Sequence, residues 1–380
     1  MRYIPVLLLP LALASCGSRH SIEVVNDSDT PREGEITSVP LSEIRKAAGE
    51  GTFVITDAAG TEVPYQITYD STVVFPATVG AASKAVFGIA PGVPAPVDTV
   101  VCGAFYARRK DDLTWENEKA AYRAYGPALQ ASGERAFGYD VWTKSVPHPV
   151  VAKRYRNAFA KVANFHEDHG EGMDVYTVGP TLGAGTAALL DSAGVITYPW
   201  CFESYEILDN GPLRFTVRLT YPAGAFGNDS TVRETRLITL DSGEFLNRTE
   251  VSYEGLSSSA TVAPGIVLHR HNPDGYILDN ENSFMACADL TDNPDGQNGV
   301  IYVGVVAPQA DTIVLSPMPQ AEGDAVAHLL AKGQYQPGSP YVYYWGSGWS
   351  KGFMPDWQRW TDYLTAFRRR VESALKVPVR

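Results

Sequence analysis

The chain is short of cysteine, of cations and of long apolar runs, and each shortage excludes something. It carries four cysteines in 380 residues. Apart from Cys16, these are Cys102, Cys201 and Cys287, an odd number at wide spacing, which gives neither a disulfide framework nor a metal knuckle. Lys and Arg total 31 against 43 Asp and Glu, a formal charge of −12. The one basic cluster, Arg368, Arg369 and Arg370, sits in a helix-like tail and reads as a solvated face. Nucleic acid is therefore not an expected partner, because phosphate binding draws on clustered cations. No segment after the first fifteen residues is apolar over the about 20 positions that a membrane-spanning helix requires. There is no internal repeat, and helical periodicity is confined to the C-terminal end.

What is present begins at the N-terminus. Arg2 precedes an apolar run over 4–14 that Pro5 and Pro10 interrupt. The run is too short to span a bilayer and fits the core of a secretory signal. Leu13, Ala14, Ser15 and Cys16 follow at once and resemble the bacterial lipobox, which implies cleavage after residue 15 and a lipid on Cys16. Gly17, Ser18, Arg19 and His20 carry no acidic run. The expected location is the periplasmic face of an outer membrane, with the lipid as the only membrane contact and the protein a monomer.

Short alternating runs at 21–25, 51–56, 64–68 and 71–75, separated by the turn clusters 26–29 and 57–60, read as strands of a small sandwich. The Pro-rich stretch 90–96 marks a boundary. Beyond it, 216–221, 232–239 and 248–253 alternate cleanly between polar and apolar faces, and 300–306, 311–315 and 340–345 follow as further strands. Trp357, Trp360, Leu364, Phe367, Val371 and Leu375 recur at helical steps after Pro355 and Asp356, predicting a helix whose aromatic stripe packs on the outside of the sheets. The expected fold is all-β: a signal over 1–15, a small N-terminal β-sandwich over 16–98, and a large antiparallel supersandwich over 99–380 with a C-terminal helix.

The densest chemistry lies between 164 and 176. His166, Asp168, His169, Glu171, Asp174 and Tyr176 put two imidazoles, several carboxylates and a phenol within a few residues of one another. Proton transfer to and from sugars needs such groups. Gly170 and Gly172 allow a sharp turn or a close approach. If the end of the segment is extended, Asp174 and Tyr176 share a face and Glu171 faces away. A divalent metal is the one cofactor left open, at His166 and His169 with Asp168 and Asp174, or at His269 and His271. Neither spacing matches a zinc signature. Gly183, Gly185 and Ala188 have the letters of a dinucleotide fingerprint, but Gly194 leaves no room for the helix it needs. A glycine-rich strand passing close to another backbone accounts for them better.

Aromatics make up 11% of the chain, with 7 Trp and 20 Tyr, a supply that suits sugar-stacking platforms as well as cores. Trp115 leads into Arg123 and Tyr125; Trp142 lies beside Lys144; Trp345 and Trp349 precede Lys351. Each stretch offers a ring for stacking and a cation for a uronate carboxylate. Arg123, Lys144, Trp142, Trp345, Trp349 and Lys351 are the candidate substrate-binding residues.

These same stretches resemble the family called domain of unknown function 4861, found among polysaccharide-utilising Bacteroidetes. The likeness rests on Trp115-Glu116-Asn117, Tyr125-Gly126-Pro127, the Asp140–Lys144 block, the run from His169 to Gly179, and Gly348-Trp349-Ser350. It implies a supersandwich similar to galactose mutarotase and a setting of pectin or other uronate-containing glycans. It implies no settled reaction.

The expected function is an enzyme, a lyase or a hydrolase, on acidic oligosaccharides. In a lyase, His169 or Tyr176 would move protons while Lys144 or Arg123 held the carboxylate, with His166 a further candidate. In a hydrolase, Glu171 and Asp174 would be the paired carboxylates. A non-catalytic sugar-binding lipoprotein, using the tryptophans alone, is the alternative, and a sugar epimerase or mutarotase is a third reading.

Overall fold

A computed structural model describes residues 20–290 and 297–378. The lipobox and Cys16 lie outside the described residues. The fold class agrees with the sequence: two small sheets come first, a four-stranded meander and two larger sheets follow, and a helix comes after them.

The first part packs a four-stranded sheet (Ser21–Asn26, Ser83–Pro91, Phe53–Thr56, Glu62–Val63) against a three-stranded one (Arg32–Pro40, Thr72–Val79, Gln66–Ile67). Ile22, Val24, Val39, Ile55, Phe75 and Phe87 fill the space between them. A short helix, α1 (Leu41–Ala48), closes one end through Leu41 and Ile44. The end of the chain returns to this unit: Val25 and Lys376 bond each other's backbones, and Leu375 and Val377 pack on the same core.

The main body holds a nine-stranded sheet with Tyr341–Trp349 near its middle, a five-stranded sheet containing Ala184–Leu190 and Ala260–His269, and a four-stranded meander. The meander runs Cys102–Tyr106, Asp112–Glu116, Ala121–Ala124 and Asp140–Trp142. Every pairing between these strands is antiparallel among the described residues. Period-two alternation decides which residues enter which core. Met285, Cys287, Val303 and Val305 face the large central core. Their neighbours Phe284, Ala286, Tyr302 and Val306 point to the other face.

That other face would be an exposed apolar sheet without the C-terminal helix. The helices after α1 are α2 (Pro127–Ala131), α3 (Val151–Phe159) and α4 (Trp357–Glu372). In α4, Trp360, Leu364 and Phe367 bury one stripe on Phe284, Tyr302 and Val306, as the periodicity predicts. Asp356 caps α4, its carboxylate accepting from Arg359 N at 2.8 Å. Asp356→Ala is expected to lower stability by about 1 kcal/mol, the usual worth of an N-cap, read as a shift in the urea midpoint. The helix α3 is not legible from periodicity, because Pro147 and Pro149 precede a run of mixed polarity.

The fingerprint letters at 183–188 belong to the strand Ala184–Leu190, antiparallel to its neighbour. A Cβ on Gly183 would lie 2.3 Å from the carbonyl oxygen of Tyr139, so only glycine permits this crossing.

Candidate functional site

The helix α3 sets up the site, and a buried carboxylate sets up α3. Glu116, on a meander strand, accepts from the backbone N of Val150 and of Val151, both at 2.9 Å. A carboxylate at a helix N-terminus satisfies free N–H groups and offsets the helix dipole. The same carboxylate takes Lys144 Nζ at 2.7 Å, and Asn117 O takes it at 2.6 Å. Lys144 is fully buried in this arrangement. It holds α3 in place and is not open to a substrate, which corrects its assignment as a carboxylate partner.

With its start fixed, α3 presents two faces. Inward, Tyr155 donates to Asp112 Oδ2 at 2.7 Å. Outward, Lys153 and Asn157 line a cavity of about 240 Å³ together with the largely buried Arg154, whose Nη2 donates to Glu171 O at 2.6 Å and to Thr143 O at 3.1 Å. The opposite wall is the 163–172 loop, contributing Asn164, Phe165, Glu167, His169 and Glu171. Asp168 shapes this loop, its Oδ1 accepting from the N of Gly170 (2.8 Å) and Gly172 (2.9 Å). Gly172 sits at φ +95°, where a Cβ would meet the Thr143 carbonyl at 2.3 Å, so the loop can hug the meander only with glycine there.

His169 is exposed on the loop, and its Nε2 meets Asn164 O at 3.0 Å. A carbonyl only accepts, so Nε2 carries the hydrogen and the neutral ring keeps its lone pair on Nδ1. His166 uses the other tautomer: its Nδ1 meets Asp174 O at 2.6 Å, and the side chain is 51% exposed. Glu171 accepts from Lys153 at 2.7 Å, and this bond holds its carboxyl below the usual range against a smaller desolvation effect.

Beneath the cavity lies a second, buried layer. Phe165 stacks on Trp142 at 5.2 Å, and Trp142 lies between the guanidinium groups of Arg154 (6.0 Å) and Arg123 (5.1 Å). Arg123 pairs with Asp140, with Asp174 at 3.0 Å and with Asp112 at 3.4 Å, and reaches the Tyr125 hydroxyl at 3.3 Å. Burial raises the Asp140 carboxyl to about 7, with Arg123 pulling it back and Asp174 pushing it up. Burial likewise raises Asp174 to about 6. The two share one guanidinium and titrate as a pair.

Such a carboxyl binds more protons folded than unfolded between the unfolded value of about 3.9 and its folded value. Its contribution therefore makes the protein less stable as pH rises through about 4 to 7. His328, pushed down to about 4 by burial, acts in the opposite sense, losing stability as pH falls below about 6.5. A comparison at fixed pH steps isolates the pair. The melting temperature of Asp140→Asn should fall less between pH 5 and 7 than that of the native chain. An equal fall in both would show that the pair does not titrate there.

The sequence-derived site thus separates. Asp174 and Arg123 do meet, with Trp142 against them, and His169 lines the outer cavity with Glu171. Glu171 and Asp174 are not a hydrolase pair, since one is at the surface on Lys153 and the other is buried on Arg123. Tyr176 is buried edge-on against His269 at 5.9 Å, and its hydroxyl has no hydrogen-bond partner among the described residues. Trp345 stacks on Tyr139 at 4.1 Å inside the central core, and Trp349 donates to Asn298 O at 2.8 Å. Trp142, Trp345 and Trp349 are all buried, so none offers a stacking face to a sugar. Lys351 is exposed and bonds Gln297 O, away from the cavity lining.

No group of three or more His, Cys, Asp or Glu is placed to hold a metal among the described residues. Asp168 is used by the loop and Asp174 by Arg123. His269 is buried on Asp289 at 2.6 Å, while His271 lies past the strand end and is exposed, so the two do not share a face. Sequence reasoning passed over Lys153, Arg154 and Asp112, and named Asp140 and Glu116 only as motif residues without a role. A signal existed for Asp140, which is the direct cross-strand partner of Arg123.

The sequence profile described as domain of unknown function (DUF4861) matches residues 24–377. The chain belongs to this family. It is 27% identical over 393 residues to uncharacterized protein P7 of Formosa agariphila, covering 97% of this chain and 96% of that one. An α-mannosidase from Enterococcus faecalis superposes with a TM-score of 0.53 at 8% identity, over 95% of this chain and 46% of that one. A glycosyl hydrolase family 38 protein from the same organism gives 0.51 at 9% identity, over 95% and 47%. This DUF4861 chain therefore spans about half the length of those two proteins, and the likeness is one of fold.

Proposed function

We propose that the chain is a carbohydrate-active enzyme on acidic oligosaccharides, with the 153–172 cavity as its substrate site. One observation carries this: two cations, Lys153 and Arg154, line the cavity together with an imidazole, His169. The fold shared with an α-mannosidase supports the carbohydrate class, and the cations support an acidic ring. Lys153 and Arg154 take the place that the sequence suggested for Lys144 and Arg123.

The arrangement favours a lyase over a hydrolase, because the two carboxylates that line the cavity, Glu167 and Glu171, come from one loop, with Glu171 held by Lys153, and do not flank it from opposite walls as glycoside hydrolysis uses them. A uronate held by Lys153 and Arg154 has its carboxylate neutralised, which acidifies the adjacent C–H. His169 Nδ1 removes that proton, and charge builds on the carboxylate, where the cations stabilise it. The C–O bond at the next carbon then breaks, its electrons leave with the oxygen, and a C=C bond forms in the ring. The imidazolium returns the proton to the departing oxygen. As an exported lipoprotein held through Cys16, the enzyme would meet its oligosaccharides at the periplasmic face of the outer membrane.

Incubation with saturated uronate oligosaccharides tests the reading, following absorbance in the unsaturated-uronate band. New absorbance that depends on the protein is expected. No product from any acidic glycan of a broad panel would leave the sugar-binding alternative in its place.

A further inference from the structure

A second cavity, of about 230 Å³, opens between the 197–200 stretch and the strands Gly224–Phe226, Asp229–Asp241 and Leu246–Glu254. Tyr198, Pro199 and Trp200 form one wall, Tyr221 and Phe226 the other, and Glu234 and Tyr253 also line it. The proton-transfer chemistry does not use this assembly, and Trp200 lies outside the buried core.

Three features point to a ligand. Trp200 is 53% exposed, and it is the only exposed tryptophan of the seven. An indole held half in water gains nothing from core burial, but its face can stack on the C–H face of a sugar ring. Phe137 braces it edge-on at 5.8 Å. Second, the Tyr253 hydroxyl is buried and without a hydrogen-bond partner among the described residues, although the residue lines the cavity. A buried hydroxyl left unmade is costly, and a ligand hydroxyl would satisfy it. Third, Glu234 keeps 12% of its side chain exposed and is locked by Arg236. Arg236 is spent: it also donates to the Tyr221 hydroxyl at 2.8 Å and to Ala187 O at 3.2 Å, and is fully buried.

We infer that this cavity is a binding subsite for one neutral sugar ring, stacked on Trp200 with its hydroxyls on Glu234 and Tyr253. Neutrality follows from the lining, which contains a carboxylate and no Lys or Arg. A uronate would face Glu234 without a cation to answer it. The subsite is separate from the 153–172 cavity and does not depend on the reaction proposed there.

Titration of the full chain with methyl glycosides of galactose, xylose and rhamnose, with galacturonate as the acidic comparison, tests this by calorimetry and by tryptophan emission. At least one neutral glycoside should bind and shift the emission, and galacturonate should bind at least tenfold more weakly. Trp200→Ala should weaken the neutral sugar about tenfold or more. Tyr253→Phe keeps the ring and should weaken it by a smaller factor. Both variants should melt near the native temperature, whereas Glu234 variants leave Arg236 uncompensated and are unsuitable. No binding by any neutral glycoside, binding unchanged in Trp200→Ala, or equal affinity for galacturonate would each overturn the inference. His169→Ala, which tests the other cavity, should leave neutral-sugar binding intact, so either reading can fail without the other.

Discussion

His169→Ala should reduce turnover of an acidic oligosaccharide by about 10² to 10⁴, the usual cost of losing a proton-transfer group. The side chain is exposed and its ring makes one bond, to the Asn164 carbonyl. Its removal should therefore move stability by no more than about 0.5 kcal/mol. His169→Asn keeps a donor for that carbonyl without supplying a base, and should be as inactive as the alanine variant. Tyr176→Phe makes the contrast. The sequence places Tyr176 in the chemistry, but the phenol is buried against His269, so its rate should equal the native rate. Initial rates in the unsaturated-uronate band, beside thermal melts, give the answer. A His169→Ala rate within threefold of native would remove His169 from the reaction.

Arg123→Leu should destabilise the fold by about 3 to 5 kcal/mol at pH 8, the cost of stranding buried charge by deleting one partner. Here the stranded groups are three carboxylates, Asp112, Asp140 and Asp174, arranged around one guanidinium. Proton uptake offers them an escape, so the loss should shrink as pH is lowered towards 5. Arg123→Lys keeps the charge but not the fork that reaches several oxygens at once, and should fall between the two. Denaturant midpoints at pH 8 and pH 5 measure this. A loss below about 1 kcal/mol at pH 8 would mean the cluster is not charged in the native protein.

The strands at 216–221, 232–239 and 248–253 and the helix α4 were legible because one face of each is buried and one is not, which writes a period into the residues. The helix α1 buries Leu41 and Ile44 but, at 8 residues, is too short for its period to repeat, and the strand Arg32–Pro40 alternates poorly. Arg32–Pro40 is half exposed and carries two glutamates and a glycine. At the site, the sequence showed which groups were present but not which way they faced. Trp142, Trp345 and Trp349 read as platforms because tryptophan has the same composition signature in a core as at a surface. Lys144 read as a free cation because its partner Glu116 lies 28 residues earlier, two strands across the meander. Lys153 and Arg154 went unread because α3 was not seen, and without the helix there was no face to put them on.

The tie between Val25 and Lys376 carries a consequence for the order in which the protein is made. Ser21–Asn26 is the outer strand of the first sheet, and its free side is met by the backbone of residues 376 and 378. Synthesis runs from the N-terminus, so that strand emerges long before residues 376 and 378 close its row of donors and acceptors. An unclosed strand is a template for pairing with another chain. A nascent or C-terminally truncated copy is thus the form most exposed to aggregation, and loss of the final few residues should be felt at the opposite end of the sequence.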